Sequence, residues 1–212
     1  MRRGLERYAP DEGYDPGALA RDKLAQLVVR KAGVFPGDWV LDVQTGFGLL
    51  GVNVARAFTR AKVVATESDR ARLERARENA RTEGCDARMR FVQCLPDALP
   101  FKDEFSYFST VGLSLANEEE PLDVLDEIHR ATGFYGKIYC GAVDLRKARK
   151  RPRGMKQWVF TDEAIGEMRA MGYGKVQLTQ VAVLADGGRL YLVTTKRFDA
   201  EGDEGDGEDE DE

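Results

Sequence analysis

The sequence predicts an α/β protein built on a doubly wound, mostly parallel seven-stranded sheet that finishes in an antiparallel hairpin. Three observations carry this. Apolar, strand-like runs alternate with amphipathic helical stretches from about residue 15 to residue 172, the pattern of strand–helix–strand crossovers. A glycine loop, TGFGLLG, separates the first apolar run from the next helical stretch. After residue 175 the alternation gives way to two strand-like runs joined by Asp186-Gly187-Gly188, a hairpin signal.

The elements follow in order. Asp15 reads as an N-cap with Pro16 at the first helical position. Leu24, Leu27 and Val28 then form the stripe of an amphipathic helix that Gly33 closes. Pro36-Gly37 is turn chemistry, and Trp39–Val43 reads as a buried first strand. The glycine loop opens a helix over 49–58, and residues 62–66 form a second strand. Ser68 is read as the cap of a long helix ending at Gly84. Residues 89–93 and 105–110 read as the third and fourth strands. A helix over 121–132 carries Leu122, Leu125 and Ile128 on one face, and a fifth strand covers 137–143. Thr161 caps another helix that ends near Gly172. Residues 176–184 and 190–195 form the hairpin.

Composition bounds the function classes. With 42% hydrophobic and 33% charged residues in 212, the chain can bury a sizeable core under a highly charged surface. It has no apolar run of about 18 residues that would suggest a membrane span. Its first residues do not read as a signal peptide. Cys85, Cys94 and Cys140 are scattered, which fits a reducing cytoplasm and no metal motif. The predicted organisation is an N-terminal segment 1–14, a domain over 15–198 and an acidic tail over 199–212. That tail holds ten acidic side chains and no basic one, so disorder is expected for it and the rest of the chain is about +5.

The candidate site is the glycine loop. Gly46, Gly48 and Gly51 match G-x-G-x-x-G, where glycine lets backbone approach a ligand closely and the helix behind presents free N–H groups. Glu67 ends the second strand 19 residues after Gly48, where a carboxylate can accept both hydroxyls of a ribose. Asp42, four residues before Gly46, separates ligand classes. A carboxylate there repels a pyrophosphate and favours a cationic ligand, which argues against a nicotinamide dinucleotide.

GDWVLDVQTGFG resembles the first motif of class I methyltransferases, VVATESDRARLERARENA their second, FVQCLPDALPF their third-motif region, and DVLDEIHRATGFYGKIYC their helix, turn and fifth strand. The resemblance runs in order from about Leu24 to Lys196, and it is similar to the broad group that includes small-molecule methyltransferases of the quinone and sterol type. It implies a class I methyltransferase-like, Rossmann-related fold, S-adenosylmethionine as cofactor, and direct in-line methyl transfer to an acceptor that is a small molecule, RNA or protein. By position it implies that Asp42 binds the methionine ammonium, directly or through water. Gly46 and Gly48 would admit the methionine and ribose, Glu67 would hold the ribose hydroxyls, and Ser68 would flank the adenine. Cys94, Leu95 and Pro96 would border the adenine, while Ser109 and Thr110 would face the donor or acceptor. The sequence departs from the family pattern at Gln44, Leu95, Ser106 and Phe134-Tyr135-Gly136. Gln44, where the family has its first glycine, either narrows the cofactor bed or hydrogen-bonds the methionine carboxylate. If it closes the bed, the alternative is a catalytically silent binding or regulatory module.

Other features have bland readings beside sharp ones. His129, the single histidine, reads as a packed or surface helix residue, so no catalytic base is assigned. The segment from Arg146 to Lys156 holds seven basic residues in eleven and follows the fifth strand. It contacts RNA or an anionic substrate, or it is a solvated loop screened by the acidic tail. Trp158 reads as a core anchor. Tyr8 and Tyr14 precede the first helix, where this fold often builds a lid.

Overall fold

The computed structural model describes Tyr8 and residues 15–146, 148–149 and 160–198. The first helix, α1 (Ala18–Ala32), starts later than the sequence suggests. Gly17 is its N-cap, and the Asp15 carboxylate accepts the Gly17 amide at 2.8 Å while pairing with the buried Arg21 guanidinium. Asp15 therefore makes a local turn two residues ahead and holds Arg21, so the helix opens beyond it. Gly33 ends the helix in the left-handed conformation, φ 57°, as a C-terminal glycine does.

The strands and helices then alternate as expected. They are β1 (Trp39–Val43), α2 (Leu49–Ala57), β2 (Lys62–Glu67), α3 (Arg70–Thr82), β3 (Met89–Gln93), β4 (Ser106–Val111), α4 (Pro121–Ala131), β5 (Thr132–Asp144), α5 (Asp162–Ala170), β6 (Gln177–Val183) and β7 (Arg189–Lys196). The cap of α3 is Asp69 rather than Ser68. Asp69 accepts from the Ala71 and Arg72 amides at 2.7 and 3.1 Å, two bonds that a carboxylate reaches and that leave Ser68 bonded to Glu67. Thr161 caps α5 through the Ala164 amide.

One sheet holds all seven strands in the order β3-β2-β1-β4-β5-β7-β6. The first five strands pair in parallel, and β7 lies antiparallel between β5 and β6. Pleat alternation divides the core in two. Val40, Val63 and Ala65 face the layer of α1 and α2; Leu41, Val43 and Val64 face α4 and α5. The stripe of α4 is Pro121, Val124, Leu125, Ile128 and Ala131, all buried, with Leu122 only packed at its margin.

The fifth strand leaves α4 without a loop, five residues before the predicted start. Its pairing shifts between Thr132 opposite Ser106 and Lys137 opposite Phe108, so the intervening residues bulge, with Tyr135 at φ 59°. Arg197 stabilises this junction by donating to the carbonyls of His129, Arg130 and Thr132 at 3.2, 3.1 and 2.6 Å. A cation on the last carbonyls of a helix satisfies acceptors the helix leaves open. Among the described residues no helix is long and apolar enough to cross a membrane.

Candidate functional site

Chain order reverses between β1 and β4. From β1 the chain runs outward to β2 and β3, then returns to β4 on the other side. In open α/β sheets the crevice beyond the strand ends at such a switch point receives ligands. Here Asp42 on β1 stands opposite Thr110 on β4 at that point.

Asp42 is 1% exposed and fully engaged with protein groups. One oxygen accepts from Thr110 Oγ1 at 2.5 Å, and the other from Thr45 Oγ1 at 2.5 Å and the Gly51 amide at 2.9 Å. Burial pushes its carboxyl up to about 6, against the pull of these three donors. The carboxylate thus ties β4, the glycine loop and the first turn of α2 together from behind. A direct bond to an ammonium would need one of these partners to yield.

The loop's glycines have separate reasons. Gly46 has φ 57° and its absent side chain would meet open space, so this is the face left bare for a ligand. Gly48, φ 89°, caps α2, and a Cβ there would stand 2.7 Å from Val52 Cγ2 and 3.5 Å from Ala76 Cβ. Gly51 admits the Asp42 carboxylate, since its Cβ would lie 2.5 Å from Oδ2. Loop closure continues through Thr45 N to Thr66 O at 2.8 Å and Asn79 Nδ2 to Phe47 O at 2.8 Å.

Glu67 closes the other side. Its carboxylate accepts from the Gly46 amide at 2.9 Å, from Ser68 Oγ at 3.3 Å and from the Asp69 amide at 3.2 Å. Two oxygens offer about four acceptor positions, so one position is left. Cys94 is half-buried and its amide donates to the Glu67 carbonyl. Leu95 is 60% exposed, whereas Pro96 beside it is buried.

Gln44 is buried with φ 50°, the left-handed region that glycine occupies without strain. Its side-chain amide donates to Glu118 Oε1 at 3.1 Å. Glu118 escaped the sequence reading, because it lies 74 residues from Gln44 in the chain and only folding joins them. Burial, then the charges of Glu67 and Asp97, push its carboxyl above the usual range. Two carboxylates therefore flank the glycine turn, Glu67 on the Gly46 amide and Glu118 on Gln44, with Asp42 behind it.

Ser109 is corrected. It sits inside β4, wholly buried, between Leu41 and Ile138 in register. Its hydroxyl is closed between Ser106 Oγ at 2.8 Å and Thr132 Oγ1 at 2.7 Å, so it does not line the crevice. Thr110 points to Asp42. His129 is packed against Tyr173, ring centroids 5.0 Å apart, away from this edge. Tyr8 is buried in the core on the α1 and α2 face. Tyr14, Trp158, the acidic tail and most of the basic segment lie outside the described residues, although Arg146 is seen paired with Asp144. Among the described residues no group of three or more potential ligands could hold a metal ion.

Residues 40–134 match the sequence model of a family described as a methyltransferase domain. The ubiquinone/menaquinone biosynthesis C-methyltransferase UbiE of Desulfotalea psychrophila is 31% identical over 115 residues, 54% of this chain and 45% of that protein. The chain thus spans less than half the length of the curated relative it matches. Among solved structures, the [4+2]-cyclase SpnF superposes with TM-score 0.74 at 18% identity, covering 90% of this chain and 86% of that one. A SAM-dependent methyltransferase from Aquifex aeolicus gives 0.63 at 18% identity, covering 86% and 99%. These likenesses concern the fold: the seven-stranded sheet and its closing antiparallel pair are those of the class I methyltransferases.

Proposed function

We propose that the protein is a class I S-adenosylmethionine-dependent methyltransferase, which binds S-adenosylmethionine and transfers its methyl group to a small-molecule carbon nucleophile; the match of residues 40–134 to a methyltransferase-domain family and the UbiE relative support this. The observation that carries the cofactor reading is the acidic rim of Glu67, bonded to the Gly46 amide, and Glu118, bonded to Gln44, beside a turn that Gly46 leaves bare. Such a rim attracts an ammonium and a sulfonium and repels a pyrophosphate. The carbon acceptor is supported by the UbiE relative, whose name states C-methylation.

When bound, the cofactor supplies an electrophilic methyl on a positively charged sulfur. Gly46 provides the surface against which it lies. Glu67 keeps one acceptor position for a ribose hydroxyl and gains a second if the Gly46 amide turns to the ligand. Asp42 holds the turn through Thr45, Gly51 and Thr110. In the transfer the methyl–sulfur bond breaks as the methyl–carbon bond forms. The bond pair would stay on sulfur, giving S-adenosylhomocysteine, and the proton released from the acceptor carbon would pass to solvent water. Positioning the two reactants in line supplies much of the acceleration.

A second reading, a binding module on the same fold, draws on Gln44: its strained backbone and its bond to Glu118 narrow the turn where the family has glycine. Calorimetry on the full chain with S-adenosylmethionine and S-adenosylhomocysteine separates the two. Micromolar binding followed by label transfer from methyl-labelled cofactor to phenolic or isoprenoid carbon acceptors is expected. Binding without transfer to any acceptor favours the module, and no binding of either nucleoside rejects the cofactor reading.

A further inference from the structure

A second concave site lies at the opposite edge of the sheet. Lys31 at the end of α1, Lys137 at the start of the parallel run of β5, Lys175 before β6 and Lys196 at the end of β7 line a groove of about 400 Å³, with Phe198 on its rim. Lys137 and Lys196 are register partners on β5 and β7. Among the described residues no carboxylate lines the groove, and none of the four lysines has an ion-pair partner. Lys137 Nζ and Tyr139 OH donate to the Ala32 and Lys31 carbonyls at 3.2 and 2.6 Å, which covers the partial negative charge at the end of α1. The groove is thus a concentrated positive site that shares no lining residue with the glycine-loop site.

The chain itself leads into it. Phe198 is pinned by its amide to the Gly172 carbonyl at 3.0 Å, and Arg197 N donates to the Gly136 carbonyl at 3.1 Å. The next fourteen residues, 199–212, carry ten carboxylates and no cation. We propose that this acidic segment seats in the lysine groove, as an internal occupant that any other acidic ligand must displace. Charge complementarity argues for it, and so does tethering. A segment that starts at the rim is present there at high effective concentration, and closing a short loop costs little. The basic segment 146–156 follows the far end of β5. Reaching it means crossing the seven residues from Lys137 to Asp144, about 23 Å at strand rise. Fourteen residues can span that distance, so the groove is favoured because it lies at the start of the tether, and carbodiimide coupling decides between it and residues 146–156. This inference stands independently of the methyl-transfer reading.

Zero-length carbodiimide coupling of the full chain at low salt, read by peptide mass spectrometry, tests it. Amide links from the acids of 201–212 should fall on Lys31, Lys175 and Lys196 several-fold more often than on the exposed Lys23 and Lys62. Links spread over lysines in proportion to exposure, or concentrated on Lys147, Lys150 and Lys156, overturn the proposal. A chain with Lys175→Glu and Lys196→Glu, its fold checked by circular dichroism, should lose the links to Lys31 as well. Retention of those links at the parental yield overturns the proposal too.

Discussion

The Asp42 carboxylate accepts the Gly51 amide at 2.9 Å, and the same oxygen stands 2.5 Å from where a Gly51 side chain would begin. Asp42 Cβ and Cγ lie at 3.1 Å from that point, so a short buried side chain with three bonds has nowhere to move. Gly51→Ala should therefore destabilise the chain by about 2–4 kcal/mol, through overpacking and loss of a buried charge-assisted bond. Gly46→Ala meets open space and bears only its left-handed backbone, about 1 kcal/mol. Urea midpoints should rank the two variants in that order. A Gly51→Ala chain as stable as Gly46→Ala would remove Asp42 as the anchor of the loop.

The pH dependence of stability should carry the mark of Asp42. Its folded value of about 6 lies above its ordinary 3.8, so the folded chain binds this proton more tightly than the unfolded one. Stability from this group therefore rises as pH falls from about 6 to about 4 and is constant below, by up to about 3 kcal/mol. His129 works in the opposite direction, because burial and Arg197 lower its value and protonation then opposes folding. Subtracting the profile of Asp42→Asn from that of the parent isolates the first effect. A flat difference curve between pH 4 and pH 6 contradicts the burial argument.

Glu67→Gln separates binding from scaffolding. The amide oxygen can still accept from the Gly46 amide, which Glu67 does at 2.9 Å, while the NH2 group cannot accept from the Asp69 amide at 3.2 Å, so the loop should hold with stability lower by about 1–3 kcal/mol. A ribose clamp and an acidic rim both lose a charge, and affinity for S-adenosylmethionine should fall about tenfold, near 1.4 kcal/mol. Calorimetry with S-adenosylhomocysteine, which lacks the sulfonium charge, should show a smaller loss. Unchanged affinity for both nucleosides would take Glu67 out of the site.

Much of this was legible because local chemistry and fold agree. β1 and β3 fall on their predicted residues, and Gly33, Thr161 and Asp186-Gly187-Gly188 end or start elements by conformations their side chains dictate. The starts of α1 and α3 were misplaced because Asp15 and Ser68 have the right chemistry but other engagements, Arg21 and Glu67. The extra length of β5 was hidden since its bulge is held by Arg197, more than 60 residues on. In the site, glycine spacing marked Gly46, Gly48 and Gly51 but not their different reasons, which depend on Val52, Ala76 and Asp42 in space. Glu118 carried no sequence signal, since only folding brings it to Gln44, 74 residues away in the chain.

Ser109 tests the distinction between lining the crevice and supporting it. Family position places its hydroxyl by the ligand; the structure closes it between Ser106 and Thr132, with zero exposure. Removing it with Ser109→Ala leaves Thr132 bonded to the Ile128 carbonyl at 2.6 Å and Ser106 near the Ala131 carbonyl at 3.4 Å. No buried donor is stranded, so the cost should be about 1 kcal/mol, the net worth of a neutral buried bond. Affinity for S-adenosylmethionine should stay at the parental value, because the altered atom is sealed from the strand ends. Thr110→Val supplies the contrast: it removes one of the three donors to Asp42, raises that carboxyl further, and should weaken the loop and the cofactor together. If Ser109→Ala instead lowered cofactor affinity at unchanged stability, β4 would have to open toward the crevice when ligand binds.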